Sequence, residues 1–123
     1  MNVLVVDDDP DIRRIARLAL ERPGGFRVVL AADGTEALAA IARQLPDVVL
    51  LDVSMPGTDG PATLRAIRSI AGAERVPVIF FTATSNESEV ARLRALGAVG
   101  VVAKPFDFVE LAGRVWGIVG PIR

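Results

Sequence analysis

Val48-Val49-Leu50-Leu51-Asp52-Val53-Ser54-Met55-Pro56-Gly57-Thr58-Asp59-Gly60 is the stretch on which the fold turns. Its first four residues are apolar without alternation, the mark of a strand buried on both faces, and the run stops on an acid. Pro61 follows Gly60, where the missing N–H suits the first turn of a helix. The local order is strand, acid, loop, helix, and it repeats outward in both directions.

Toward the amino terminus, Val3 to Val6 is a second such run, ending on Asp7-Asp8-Asp9. Ile12, Ile15, Ala16 and Ala19 then recur at three- and four-residue steps, which predicts a helix closed by Pro23-Gly24-Gly25. Phe26 to Ala31 reads as a strand, and Asp33 can cap a helix with Ala37, Leu38, Ile41 and Leu45 as its apolar positions, stopped by Pro46. Toward the carboxyl terminus, Leu64, Ile67 and Ile70 continue the helix after Gly60. Val76 to Phe81 predicts a fourth strand followed by Thr82, and Val90, Leu93 and Leu96 mark a helix closed by Gly97. Val99 to Ala103 is a short fifth strand leading into Lys104, and Asp107 followed by Glu110 resembles a capping box for a last helix through Leu111 and Val115. Five βα units predict an α/β fold, a doubly wound parallel sheet with helices on both faces, in one domain spanning residues 1–123. In such sheets the ligand site lies at the carboxyl ends of the strands, beside the point where strand order reverses.

Composition narrows the chemistry that rim can hold. The 123 residues carry 14 basic and 15 acidic side chains, so no basic surplus points to direct nucleic-acid or membrane-surface binding. Neither cysteine nor histidine occurs, which excludes disulfides, thiolate or imidazole metal sites, Cys nucleophiles and the Ser-His-Asp triad. Lys104 is the only lysine. At 51% hydrophobic the chain is rich in core residues, yet no apolar run approaches the roughly 18 residues that span a bilayer. Met1 lies two residues before the first apolar run, too close for a signal peptide, and a cytoplasmic location is expected.

Asp7-Asp8-Asp9, Asp52, Thr82 and Lys104 all close predicted strands and so share one rim. Each has an ordinary structural reading as a helix cap, a turn or a solvated charge. Together they are more than folding needs. Two like charges about 4 Å apart at an effective dielectric of about 20 cost about 4 kcal/mol, so clustered carboxylates call for a cation. Carboxylates without His or Cys suit Mg²⁺, and Lys104 supplies a second positive charge. A carboxylate between two cations is a poor base, but it can attack phosphorus to give an aspartyl phosphate.

The stretch from Asp52 to Gly60 carries the D-x-x-M-P-x-x-D-G pattern and resembles the response-regulator receiver domains of two-component signalling. Val5-Val6-Asp7-Asp8, Phe81-Thr82-Ala83 and Lys104-Pro105-Phe106 match the same family in order and spacing, so the resemblance covers the chain from Val3 to the last helix. It implies a flavodoxin-like fold with strand order 2-1-3-4-5. By the same resemblance Asp52 is the phosphoacceptor, Asp7, Asp8 and Asp52 bind Mg²⁺ with the backbone carbonyl of Ser54, Thr82 is the switch hydroxyl, and Lys104 pairs with the phosphoryl group. It also implies a cis Lys104-Pro105 bond and, at Ser54 and Thr84, residues flanking the path of the attacking water. The short hydroxyls of Ser54 and Thr84 predict slow self-dephosphorylation. Asp9 reads better as a helix cap, Asp59-Gly60 as turn and helix-start chemistry, and Met55 as a packing residue.

The function this resemblance implies is a phosphorylation switch that catalyses only its own phosphorylation and dephosphorylation. Its donor would be a sensor histidine kinase or histidine phosphotransfer protein, and its target a downstream output protein or domain. A homodimer through the fourth helix, fifth strand and last helix is a further expectation, on a face including Arg92, Arg94 and Trp116. An aspartyl-nucleophile hydrolase is the main rival, but such enzymes carry a second Asp where this chain has Ser54. A nucleotide- or flavin-binding domain would need a glycine-rich loop after the first strand, where three aspartates stand instead. One departure from the family is plain: the aromatic usual three residues before the lysine is Val101 here.

Overall fold

The computed structural model describes residues 1–22, 24–55, 58–83 and 86–119. Five parallel strands, β1 (Asn2–Val6), β2 (Arg27–Ala31), β3 (Val48–Asp52), β4 (Val78–Thr82) and β5 (Gly100–Ala103), lie in the order 2-1-3-4-5. Between and after them run α1 (Pro10–Glu21), α2 (Gly34–Arg43), α3 (Gly60–Arg68), α4 (Glu87–Ala95) and α5 (Leu111–Val119). A two-residue antiparallel pair, Ser54–Met55 with Thr58–Asp59, follows β3. This is the doubly wound α/β fold, in the strand order, expected from the sequence.

The strand period sorts the core into two halves. Leu4 and Val6, Val49 and Leu51, Val78 and Phe80 face α2, α3 and α4, whereas Val3 and Val5, Val48 and Leu50, Ile79 and Phe81 face α1 and α5. Being buried on both faces is what removes polar alternation from these strands. The register pairs Val6 with Leu51 and Asp52 with Phe81, so the strand ends stay level where the acids begin.

The aspartates read as caps act as such, and Asn86, which the sequence did not single out, joins them. Asp9, Asp33, Asp59 and Asn86 are N-caps whose side chains accept from Asp11, Glu36, Ala62 and Glu89 backbone N–H groups. Asp107 accepts from the N–H groups of Val109 (2.8 Å) and Glu110 (3.2 Å) one turn ahead of α5. Gly97 ends α4 at φ 116°, a conformation that a Cβ would strain.

Three apolar positions do not face the core as the periodicity suggested. Ile15 is 40% exposed, because the buried stripe of α1 is centred on Ala16, Ala19 and Leu20. Leu45, 44% exposed, lies outside α2, which stops at Arg43 as the backbone turns extended at Gln44 ahead of Leu45-Pro46. Leu96 is the C-cap of α4 and points outward. Several boundaries also shift inward: β2, β4 and β5 begin one or two residues later than the apolar runs, and α3 ends before Ile70. No helix among the described residues is long and apolar enough to cross a membrane.

Candidate functional site

Asp7 follows directly on β1 and is fixed from three directions. Its N–H donates to the Ala31 carbonyl on β2 (3.1 Å), its carbonyl accepts from Arg13 Nη1 on α1 (2.7 Å), and its Oδ1 accepts from the Asp9 N–H (2.9 Å). The side chain is fully buried, and one strand over Asp52 is 5% exposed. Continuing the alternation of β1 and β3, both carboxylates belong to the α1/α5 side of the rim. Lys104 joins them from β5. Its N–H donates to the Thr82 carbonyl (2.8 Å), locking the ends of β4 and β5 together. Its Nζ then stands 2.7 Å from Asp7 Oδ2 and 3.2 Å from Asp52 Oδ1. Thr82 is 4% exposed at the end of β4.

Electrostatics at the rim follow from that burial. Desolvation, then the charge of Asp7, pushes the Asp52 carboxyl above the ordinary carboxylate range, against the pull of Lys104 and of the Ser54 N–H at 3.4 Å. For Lys104, burial works against the ammonium, but its close contact with Asp7 and the charges of Asp7 and Asp52 outweigh it and raise its pKa. One lysine therefore serves two buried acids.

Could the rim hold a cation? Asp7, Asp8 and Asp52 each present a carboxylate oxygen, all within 4.8 Å of one another. Asp7 Oδ2 is buried and has no aligned hydrogen-bond donor among the described residues, so Lys104 meets it as an ion pair off the bonding direction. A buried oxygen left that way, in an all-oxygen set with one exposed member, Asp8, fits a small hard cation that keeps several waters.

These residues line an open cleft of about 520 Å³ together with Asp9, Val53, Ser54, Ala83 and Glu89. The structure thus brings Asp7, Asp8, Asp52, Ser54, Thr82 and Lys104 to one place. Ser54 is exposed at the mouth, and Met55 is buried in the core. The Lys104-Pro105 peptide bond is cis. Pro56, Gly57 and Thr84 lie outside the described residues.

Trp116 proves to be a packing residue: Nε1 donates to the Gly24 carbonyl at 3.1 Å, and the ring stacks on Phe26 at 4.8 Å. The ring is half-buried there. Val101 is half-buried, paired with Phe80 and packed against the core.

Three residues take parts in the site that the sequence alone did not assign them. Gly60 packs against the back of Asp52: a Cβ there would stand 2.5 Å from the Asp52 carbonyl oxygen and 2.8 Å from Phe80 Cε1. Arg13 braces the Asp7 carbonyl, and Glu89 lines the cleft from α4. For Gly60 the signal was its place after Asp59 in the motif; Arg13 and Glu89 look in sequence like ordinary polar positions of amphipathic helices.

Comparison with known proteins agrees with this geometry. Residues 3–115 match the family model described as the response regulator receiver domain. The chain is 45% identical over 106 residues to the protein-glutamate methylesterase/protein-glutamine glutaminase 5 of Myxococcus xanthus, covering 85% of this chain and 30% of that one. It is 40% identical over 118 residues to the transcriptional regulatory protein CseB of Streptomyces avermitilis, covering 96% of this chain and 48% of that one. The chain therefore spans at most about half the length of these two relatives. The solved structure of the chemotaxis response regulator CheY4 of Vibrio cholerae superposes with a TM-score of 0.88 at 32% identity, over 95% of this chain and 97% of that one. The chain belongs to the response-regulator receiver domains of two-component signalling, a family of phosphoacceptor switches.

Proposed function

We propose that Asp52 is the residue that accepts the phosphoryl group, within a receiver domain spanning residues 1–123. The observation that carries this reading is the place of Asp52: 5% exposed on the cleft wall, 3.2 Å from the one lysine and in ligand reach of Asp7 and Asp8. A carboxylate oxygen of Asp52 attacks phosphorus as the phosphorus–nitrogen bond of a donor phosphohistidine breaks. The bonding pair leaves on the donor nitrogen, giving neutral imidazole when the other ring nitrogen carries a proton. Asp7, Asp8 and Asp52, with the Ser54 backbone carbonyl, would hold Mg²⁺, which when bound supplies charge neutralisation at the transferring oxygens. Lys104 lies close enough to Asp52 to pair with the new phosphoryl group, and the Thr82 hydroxyl, which lines the same cleft, donates to it.

The donor is a sensor histidine kinase or a histidine phosphotransfer protein, since this chain has no histidine of its own. The signal passes to an output protein or domain, with the face of α4, β5 and α5 available for that contact or for a homodimer. The chain turns over no metabolite; it forms and loses its own aspartyl phosphate in the cytoplasm.

Incubation with Mg²⁺ and acetyl phosphate, followed by intact-mass and peptide analysis, tests the assignment. One phosphoryl group on the peptide holding Asp52, not formed when the metal is chelated beforehand and absent in Asp52→Asn, is expected. Labelling that persists in Asp52→Asn would overturn it.

A further inference from the structure

Glu89 is a carboxylate in the cleft for which the transfer chemistry has no use. It sits in the first turn of α4, lines the cleft with Asp52 and Thr82, and its side chain is only 20% exposed. Arg92, one turn on, grips it with a two-pronged contact, Nε to Oε1 at 3.0 Å and Nη2 to Oε2 at 3.1 Å. The grip fixes where the charge stands. It also keeps the carboxylate ionised, for the hydrogen bond from Arg92 holds the Glu89 pKa below the ordinary value despite some desolvation.

The remaining charges explain why this matters. Asp7 and Asp52 share the Lys104 ammonium and, with Asp8, are the acids that would face a metal. Glu89 lies outside that group. Its counter-ion Arg92 is half exposed, so the positive end of the pair stands in water. The negative end lines the cleft.

We infer that Glu89, positioned by Arg92, is a specificity-determining residue for the phosphodonor, disfavouring small, freely diffusing phosphoryl anions relative to a phosphohistidine delivered on a protein. The inference rests on the reading of Asp52 as phosphoacceptor. A small dianion must find the cleft by diffusion and pass the fixed carboxylate, whereas a docked protein brings its phosphoryl group by contacts made elsewhere. The donor imidazole, protonated on its free nitrogen, further lowers the net charge that meets Glu89.

The test compares the full chain with Glu89→Gln, Arg92→Gln and the double variant at saturating Mg²⁺. Second-order rates of Asp52 labelling are measured with dianionic acetyl phosphate and with monoanionic phosphoramidate, whose phosphorus–nitrogen bond stands in for phosphohistidine. In each reaction Asp52 forms the new oxygen–phosphorus bond, while acetate or ammonia departs with the old bonding pair. For Glu89→Gln with acetyl phosphate, a gain of about three- to tenfold at low ionic strength is expected, shrinking toward wild type at high salt. A smaller gain is expected with phosphoramidate. Arg92→Gln, which leaves the carboxylate without its counter-ion, slows acetyl phosphate, and the double variant stays faster than wild type. Equal rates in all four proteins, a gain that ignores salt and donor charge, or a double variant no faster than wild type would overturn the inference. No labelling of Asp52 in the wild-type chain would instead overturn the phosphoacceptor assignment.

Discussion

The two ends of one sheet treat their charges in opposite ways. At the amino-terminal end Asp47 Oδ2 accepts from the Asn2 N–H at 2.7 Å, while the Asp47 N–H donates to the Asn2 carbonyl at 2.8 Å. Nearby, Arg68 Nη1 donates to the carbonyls of Ala73 (3.2 Å) and Val76 (2.7 Å), fastening the connection between α3 and β4. These charges close backbone hydrogen bonds, and the Asp47 carboxylate does so facing water. At the carboxyl end, two buried carboxylates share one ammonium, and an oxygen of Asp7 has no aligned donor among the described residues. One end uses charge to stabilise the fold; the other keeps it unsatisfied in the cleft, as sites that must bind something else do.

The largest expected effect that tests this contrast comes from Asp52→Asn. Phosphoryl uptake should fall below detection, yet without metal the variant should unfold at the same or a higher temperature than wild type, because one buried like charge is gone. At the other end Asp47→Ala should lower stability by about 1 kcal/mol, the worth of the lost hydrogen bond, with uptake unchanged. Melts of both variants beside a labelling assay give the answer; a clearly destabilised Asp52→Asn would erase the contrast.

Next comes the support behind the acid. Gly60 leaves no room for a methyl group between the Asp52 carbonyl and Phe80, and its neighbours there are backbone and a buried ring that cannot step aside. Gly60→Ala should therefore cost about 2–3 kcal/mol and slow phosphoryl uptake by displacing Asp52. Denaturant unfolding with and without the substitution measures it, and a cost below about 0.5 kcal/mol, the scatter of ordinary surface changes, would mean the loop relaxes freely.

A smaller effect is the pH dependence of Asp52. Its pKa is raised in the fold above the ordinary 3.8, so folding takes up a proton between the two values. The carboxylate consequently costs the fold nothing below its ordinary pKa, and its penalty grows as pH rises through the raised one. The stability advantage of Asp52→Asn over wild type, measured without metal, should open across that interval and stay flat above it. Lys104 runs the other way: its raised pKa lends stability that persists at neutral pH and is lost only as pH climbs through its folded value, above 10.5. An advantage that shrank as pH rose toward neutrality would assign the wrong sign to Asp52.

The contrast also explains what was legible in the sequence. Asp7, Asp52, Thr82 and Lys104 each terminate a run of apolar residues, and a strand's period carries a terminal residue to a definite place once the runs are aligned. Cap residues such as Asp9, Asp33 and Asp59 act within a few positions of themselves, so local sequence holds the whole of their reason. Ile15 and Leu45 went astray because helical spacing defines a stripe without defining its centre or where the helix stops. Arg13 and Glu89 were invisible for a different reason. A charged residue on an amphipathic helix has the same local signature whether it meets water or a neighbouring strand end, and only the packing of α1 and α4 against the sheet decides between them.

The smallest effect concerns how phosphorylation would leave the rim. A phosphoryl group adds roughly −1.5 to −2 charges and strong acceptors, enough to draw in the Thr82 hydroxyl and the Lys104 ammonium. To reach a partner, that pull must bias an element with two arrangements. Val101 offers one χ1 angle, no ring and no hydroxyl, and it sits in β5 paired with Phe80, its carbonyl taken by Arg114 Nη2 at 3.2 Å. It is better placed to hold the sheet than to report on Asp52. Movement would then have to reach the start of α4, where Asn86 caps the helix and Glu89 lines the cleft. Val101→Ala should accordingly change partner affinity of the phosphorylated form by less than about 1 kcal/mol, within the range of modest coupling mutations. Thr82→Ala should sever phosphorylation from partner binding while Asp52 still accepts the phosphoryl group. Titrations of both variants with and without a beryllofluoride phosphoryl mimic separate the routes, and a Val101→Ala variant as uncoupled as Thr82→Ala would place residue 101 on the path after all.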